Sequence, residues 1–447
     1  MIGMILVMNP TMNSPKINYW NILACLVFLA PFIFLILAKP NDWFGIILIL
    51  LTIIFIFTQR VFIQKKATII AILMVFFIKV LISLVNSNYF TIYGAGADSK
   101  GFFNNATLIS QSGFDINLLN TGGTLYENIL ALMFNIVGVS QFNGEMLSIF
   151  VFIVAVSFLL KITERLYGSN NNYNTLLVYL FGLLPSMLIY TSIIMREPFQ
   201  VLFFLMSVYY YMESQNNGTF SLKVSIKFLT AVFLLGLFHN GLLLFTFVLI
   251  GIYVFKLFRN QLRIKSVVIR LAISALILFL FIGLLDALGI STQASEALLS
   301  GDMTSYVDNY RDGGIALDAR AQYGVELDTS NIFMVLGTLP LVFTNYMVAP
   351  FPWQVSSVID IYAFMENIFR AILLYCSFRC LKRLENSKRK TLIGIMVLFI
   401  IVEVLWSLGT VNWGTAVRHH LIGYALVLVM GTPFLKAKLM NLGNSFR

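Results

Sequence analysis

The pair Arg196-Glu197 stands in residues 191–198, a connection too short to be a free loop, between two strongly apolar segments. An ionisable pair at a membrane rim is costly, so it reads first as a functional site. The plain alternative is a mutual ion pair that closes a hairpin. Arg418-His419-His420 follows the small-residue stretch 409–415 and opens the last apolar run. A guanidinium offers a planar fork that meets two phosphate oxygens at once, whereas an ammonium is a point charge. Arg196 and Arg418 at one depth in the outer leaflet would therefore suit a phosphate or diphosphate; the plain alternative is snorkelling at the interface. Asp98 lies in the segment "YGAGADSKGFFNNA", where Gly94 and Gly96 free the backbone and Phe102-Phe103 could pack against a membrane. A lone carboxylate there could be a general base, a metal ligand or a turn former. His239 is either a sugar or phosphate contact or a satisfied helix-end histidine. Arg311, Asp312, Asp318 and Arg320 lie in a long polar connection, where a charged run is more often a solvated surface. No nucleophile–base triad, zinc spacing or Walker loop is present.

The elements that must position these groups are membrane helices. The 447 residues are 59% hydrophobic and 11% charged, with a mean hydropathy of +0.86. A soluble domain carries about 25% charged residues, so this chain cannot cover a water-facing surface. The net charge of +10 does not indicate nucleic acid, because the basic residues sit in short clusters between apolar runs, as on a cytoplasmic membrane face. Cys25, Cys376 and Cys380 form no disulfide framework; the last two, one helical turn apart, read as packing residues. No fixed-period repeat or soluble domain is visible, and the first apolar run is long enough to remain as an anchor.

Basic clusters choose among the hydrophobic runs. Those at 60–66, 161–165, 223–227, 256–265, 379–390 and 436–438 must share the cytoplasmic side with Lys16. Spans at 18–38, 43–58, 67–86, 145–160, 174–194, 198–213, 228–238, 241–255, 267–286, 357–378, 391–409 and 420–436 satisfy this, with both termini inside. The expected fold is all-α: a single integral membrane unit, 1–447, of about 12 transmembrane helices. Its outer-face loops are 87–144 and 287–356, within which 87–123 and 287–330 are long polar connections. Two apolar segments, 124–139 and 331–353, must then be re-entrant or interfacial on the outer face, tolerated where protein covers the backbone. Residues 228–255 are expected to form a hairpin of two short helices turning near His239-Asn240, because Lys227 and Lys256 both lie inside; the plain alternative is one long helix through Asn240, which would break that parity. Only Lys39, Lys100, Arg196, Arg311, Arg320 and Arg418 fall on the outer side.

The segments "LLPSMLIYTSIIMREPFQVLFFL", "LFHNGLLLF" and "GTAVRHHLIGYAL" resemble Wzy-type polysaccharide polymerases and their EpsG-like relatives. In those proteins a Pro-Ser helix ends in a charged cluster, a histidine begins a later span, and a basic doublet opens the last one. Here Arg418 is followed by two histidines in place of that doublet. The "ADS" stretch is also similar to GT-C glycosyltransferases more broadly, which implies a GT-C-like fold. The resemblance implies a bacterial cytoplasmic (inner) membrane enzyme with its site on the periplasmic face. Its reaction would transfer a glycan from undecaprenyl diphosphate to the non-reducing-end hydroxyl of another lipid-linked repeat unit, building O-antigen or capsule. Arg196 and Arg418 would neutralise the leaving diphosphate, assisted by Arg311 or Arg320, with His239 and His420 as further contacts. Glu197, Asp98 and His419 compete as general base. No metal or other cofactor is implied; the partners would be lipid-linked oligosaccharides and a chain-length regulator. Two further readings stay open: a GT-C enzyme using a polyprenyl-phosphate sugar donor, which would lean on Asp98, and a lipid-linked glycan transporter or flippase. The intramembrane residues Lys79, Glu366 and Glu403 favour transport; the crowding of polar groups at the outer rim does not.

Overall fold

The computed structural model describes residues 40–92, 96–112, 121–169, 172–216, 221–260, 266–287, 296–297, 300–316 and 321–445. The expected crossing at 18–38, with Lys16, Cys25, Lys39, Asp318 and Arg320, lies outside them. The described residues form helices and no strand; one isolated bridge joins Gln322 and Asn412. In chain order the helices are Trp43–Thr58 (α1), Arg60–Ile63 (α2), Lys66–Asn88 (α3), Gly96–Ser112 (α4), Gly123–Val137 (α5), Gln141–Tyr167 (α6), Asn174–Leu183 (α7), Pro185–Tyr190 (α8) and Glu197–Asn216 (α9). They continue with Leu222–Leu237 (α10), Asn240–Asn260 (α11), Val267–Ala287 (α12), Met303–Ala316 (α13), Ile332–Val348 (α14), Val358–Leu381 (α15), Asn386–Gly409 (α16) and Trp413–Ser445 (α17). Four of them, at Lys66–Asn88, Gln141–Tyr167, Lys388–Gly409 and Trp413–Asn441, are long and apolar enough to cross a membrane.

The bundle has two chemically different ends. At one, Lys65 donates to Asn172 (2.7 Å), Arg165 meets Glu213 (3.5 Å), and Lys227 and Lys256 lie over the rings of Tyr210 and Tyr211. At the other, Glu145 accepts from Ser83 and Asn86, Trp413 donates to Asp360, and Thr410 bonds His419. Basic clusters distant in sequence thus gather at one end, as their alternation with apolar runs requires. A large hydrophobic core, from Leu48 to Phe434, joins most of the helices, and a smaller cluster of Leu243, Phe247 and Ile282 lies between α11 and α12. Gly182 lets α7 approach Val75 of α3 where any side chain would overlap. Cys376 and Cys380 are both buried on α15, in the packing role expected of them.

Helices α5 and α14 cover the two segments expected not to cross. The start of α5 is fixed where the Gly122 N–H donates to the last carbonyl of α10, that of Leu237 (2.7 Å). Gly122 has a φ of 69°, a conformation that glycine adopts without steric cost. Its far end reaches Asn41, whose amide donates to the Val139 carbonyl (3.4 Å) just before α1. Thus α5 is strung between the site-end termini of two other helices. Helix α14 ends where Asn367 donates to the carbonyls of Val348 (3.0 Å) and Ala349 (2.7 Å). Asn367 lies nine residues into α15, about 13 Å at a helical rise of 1.5 Å per residue, so residues 349–357 climb back to where α15 begins. The expected turn at His239-Asn240 is also present, as α10 ends at Leu237 and α11 begins at Asn240.

Three expectations need correction. The run 174–194 is not one helix: it breaks between α7 and α8, and residues 191–196 are non-helical. Proline at 185 lacks an amide hydrogen and disfavours a helical residue before it, and buried polar groups serve the freed backbone. The Lys79 ammonium donates to the Met187 carbonyl (2.9 Å) and the Thr191 hydroxyl (2.6 Å), while the Ser186 N–H donates to Glu366 (2.7 Å). The last run does not begin at 420: α17 starts at Trp413, so Arg418-His419-His420 lie more than a turn inside it. The long connections at 87–123 and 287–330 also carry structure, since they contain α4 and α13.

Candidate active site

The broken segment 183–196 delivers Arg196 and Glu197 to the non-basic end of the bundle, with Glu197 opening α9. There α17 brings Arg418 and the first turn of α4 brings Asp98. Arg418 Nη1 forms a short hydrogen-bonded ion pair with Asp98 Oδ2 and stands 3.9 Å from Glu197 Oε1. Burial differs across the group: the side chains are 52% exposed for Asp98, 20% for Arg418 and 7% for Glu197. Glu197 Oε2 is buried with no hydrogen-bond partner among the described residues. Arg196 lies over the Phe102 ring, 5.9 Å from its centroid, and the charges of Glu197, Arg418 and Asp98 all act on it. It forms no ion pair with Glu197, so the simple hairpin-closing pair is not what is seen. Residues 98, 196–197 and 418 are thus brought into one cluster of two guanidiniums and two carboxylates.

Phe102, half-buried, belongs to this cluster. It meets Arg196 and packs edge-on against Tyr126 (5.2 Å), while Phe103 packs against Phe134. Beneath the cluster three aromatic rings interlock. His419 stacks on Trp406 (3.7 Å, 13°) and bonds Thr410 through Nδ1 (2.8 Å). His239 stands edge-on to both, at 4.7 Å from Trp406 and 5.7 Å from His419, and its Nδ1 accepts from the Gly241 N–H (3.0 Å). Both histidines are buried and their ring positions are set by these contacts.

Two expected contacts are placed elsewhere. His420 points away from Arg418, since residues two apart on a helix lie about 200° round its axis from one another. It bonds Glu403 (2.6 Å) and the Tyr346 carbonyl (3.1 Å), which makes it a structural tie between α17, α16 and α14. Arg311 is buried and donates to the carbonyls of Leu408 (3.1 Å) and Val325 (3.0 Å). Its charged neighbours are Asp308, Asp312 and Glu326, so it anchors α13 rather than joining the arginine cluster. Arg320 lies outside the described residues.

Sequence reasoning missed the aromatic groups around the site. The Tyr190 and Tyr362 hydroxyls stand 3.4 Å apart, and both phenols feel the charge of Arg418. Tyr310 packs over Gly409; burial raises its phenol pKa against the pull of Arg196 and Arg418. One tyrosine among 19 carries no signal in sequence, because only the fold sets its distance from an arginine. Among the described residues no three His, Cys, Asp or Glu side chains cluster as a metal ion requires. Comparison with protein-family models, with curated proteins and with solved structures finds no significant match for this chain.

Proposed function

We propose that this chain is a membrane glycosyltransferase that polymerises undecaprenyl-diphosphate-linked oligosaccharide repeat units into a surface polysaccharide, O-antigen or capsule. It would act at the periplasmic face of a bacterial cytoplasmic membrane, with twelve crossings and the basic end of the bundle inside. The observation that carries this reading is the meeting of Arg196 and Arg418 with Asp98 and Glu197 at the other end. The acceptor hydroxyl attacks the anomeric carbon of the donor sugar. The bond from that carbon to the diphosphate oxygen breaks, and the lipid diphosphate leaves with the electron pair. Negative charge grows on the leaving group in a partly dry site, where fixed cations stabilise it more than water would. Arg196 and Arg418 supply those cations. Glu197, with an oxygen unpartnered among the described residues, is the best placed group to take the acceptor proton; Asp98 holds Arg418 and is the second candidate. His419, locked between Trp406 and Thr410, is a positioning residue in this scheme.

The half-exposed Asp98 is the one feature that favours a GT-C enzyme with a polyprenyl-phosphate sugar donor. Transport is less well supported, because Lys79, Glu366 and Glu403 are each engaged within the bundle. The lipid-linked glycan of a deletion strain separates the two enzymes. Single complete repeat units on the surface lipid support the polymerase; a truncated repeat unit would replace it with the sugar transferase. Purified protein should also lengthen synthetic lipid-linked repeat units without any other enzyme.

A further inference from the structure

The basic end of the bundle holds a crevice that the proposed reaction does not use. It opens between α6, α9, α11 and α16, with a volume of about 570 Å³, within the range of about 300–1,000 Å³ usual for ligand sites. Arg165, Lys256, Lys388 and Lys390 line it, and its walls include Val208, Leu249, Ile395 and Leu398. Each of these basic residues is near a helix end, whereas the apolar walls run into the bundle. Lysines that only set topology need no cavity beside them; here they rim an apolar slot. Glu213, 3.5 Å from Arg165, offsets part of the charge, and Lys256 lies over Tyr211. Gly394 leaves the slot open, since a Cβ there would meet nothing within 4 Å.

We propose that this crevice binds one anionic phospholipid, its phosphate among Arg165, Lys256, Lys388 and Lys390 and an acyl chain in the slot. A basic rim over an apolar channel complements an anionic amphiphile at both of its parts, and a membrane supplies phospholipid in excess. The site lies at the opposite end from Arg196 and Arg418 and does not depend on the reaction assigned to them. Each basic side chain near an anionic membrane surface contributes about fivefold in binding, so removing two should lower the preference by about 25-fold at low salt. Salt reduces that factor by screening.

The test uses full-length protein in nanodiscs of equimolar phosphatidylglycerol and phosphatidylcholine, followed by mild detergent extraction and native mass spectrometry of bound lipid. Wild type should retain phosphatidylglycerol preferentially, and Lys388→Gln with Lys390→Gln should lose that preference. Gly394→Leu, which keeps every charge but fills the slot, should lose retention of either lipid with its unfolding temperature unchanged or raised. The proposal is overturned if wild type shows no headgroup preference, or if both variants retain phosphatidylglycerol as wild type does. A polyprenyl phosphate that displaces phosphatidylglycerol at equal concentration would also overturn it, by making the occupant a substrate carrier.

Discussion

Replacing Arg418 with Gln should separate what the cluster does for stability from what it does for chemistry. Arg418 touches two carboxylates of unequal burial. Asp98 is half exposed, so its pair is screened and contributes at most about 1 kcal/mol. Glu197 is 7% exposed at 3.9 Å, and breaking a buried pair typically costs about 3–5 kcal/mol because one charge is left uncompensated. Arg196 offsets part of that, which leaves an expected loss on the order of 3 kcal/mol in the single variant. Glu197→Gln in the same chain removes the stranded charge, so the double variant should return to within about 1 kcal/mol of wild type. Activity should not return. Loss of one charge-stabilising donor lowers turnover by about 10²–10³, and the double variant would also lack the proposed base. The assay measures elongation of synthetic lipid-linked repeat units by purified protein, alongside unfolding in detergent. Near-wild-type elongation by a folded Arg418→Gln protein would refute the assignment. So would recovery of elongation in the double variant, because the activity loss would then be one of folding.

Other expectations follow from the same contacts. Arg196→Lys should recover little activity in that assay with protein levels unchanged, because an ammonium lacks the planar fork; full activity would reduce Arg196 to a generic charge. His420→Leu should lower the unfolding temperature by leaving Glu403 buried without its partner, whereas His419→Gln should lower turnover with less effect on unfolding. The reverse pattern would exchange their roles. In intact cells an impermeant thiol reagent should label an introduced Gln111→Cys and spare Lys388→Cys; ready labelling at 388 would overturn the orientation.

The all-helical fold and its long apolar helices were legible because burying apolar side chains and keeping lysines in water act through composition and spacing, which sequence shows directly. Alternating basic clusters and apolar runs called for the 239–240 turn, which is present between α10 and α11, and for non-crossing segments near 124–139 and 331–353, where α5 and α14 lie. The rarity of charge at a membrane rim singled out Asp98, Arg196, Glu197 and Arg418, which the fold brings together. Other features depended on packing. The break at 183–196 becomes tolerable only because Lys79 and Glu366, from other helices, serve its backbone. Arg311 and Arg196 are alike in sequence, each beside an acidic residue in a segment expected on the outer side. One is taken up by the carbonyls of Leu408 and Val325, and the other is left beside Phe102 and Arg418. A charged side chain is recruited by whichever partners the tertiary structure places within a few ångströms, and sequence order does not encode those distances.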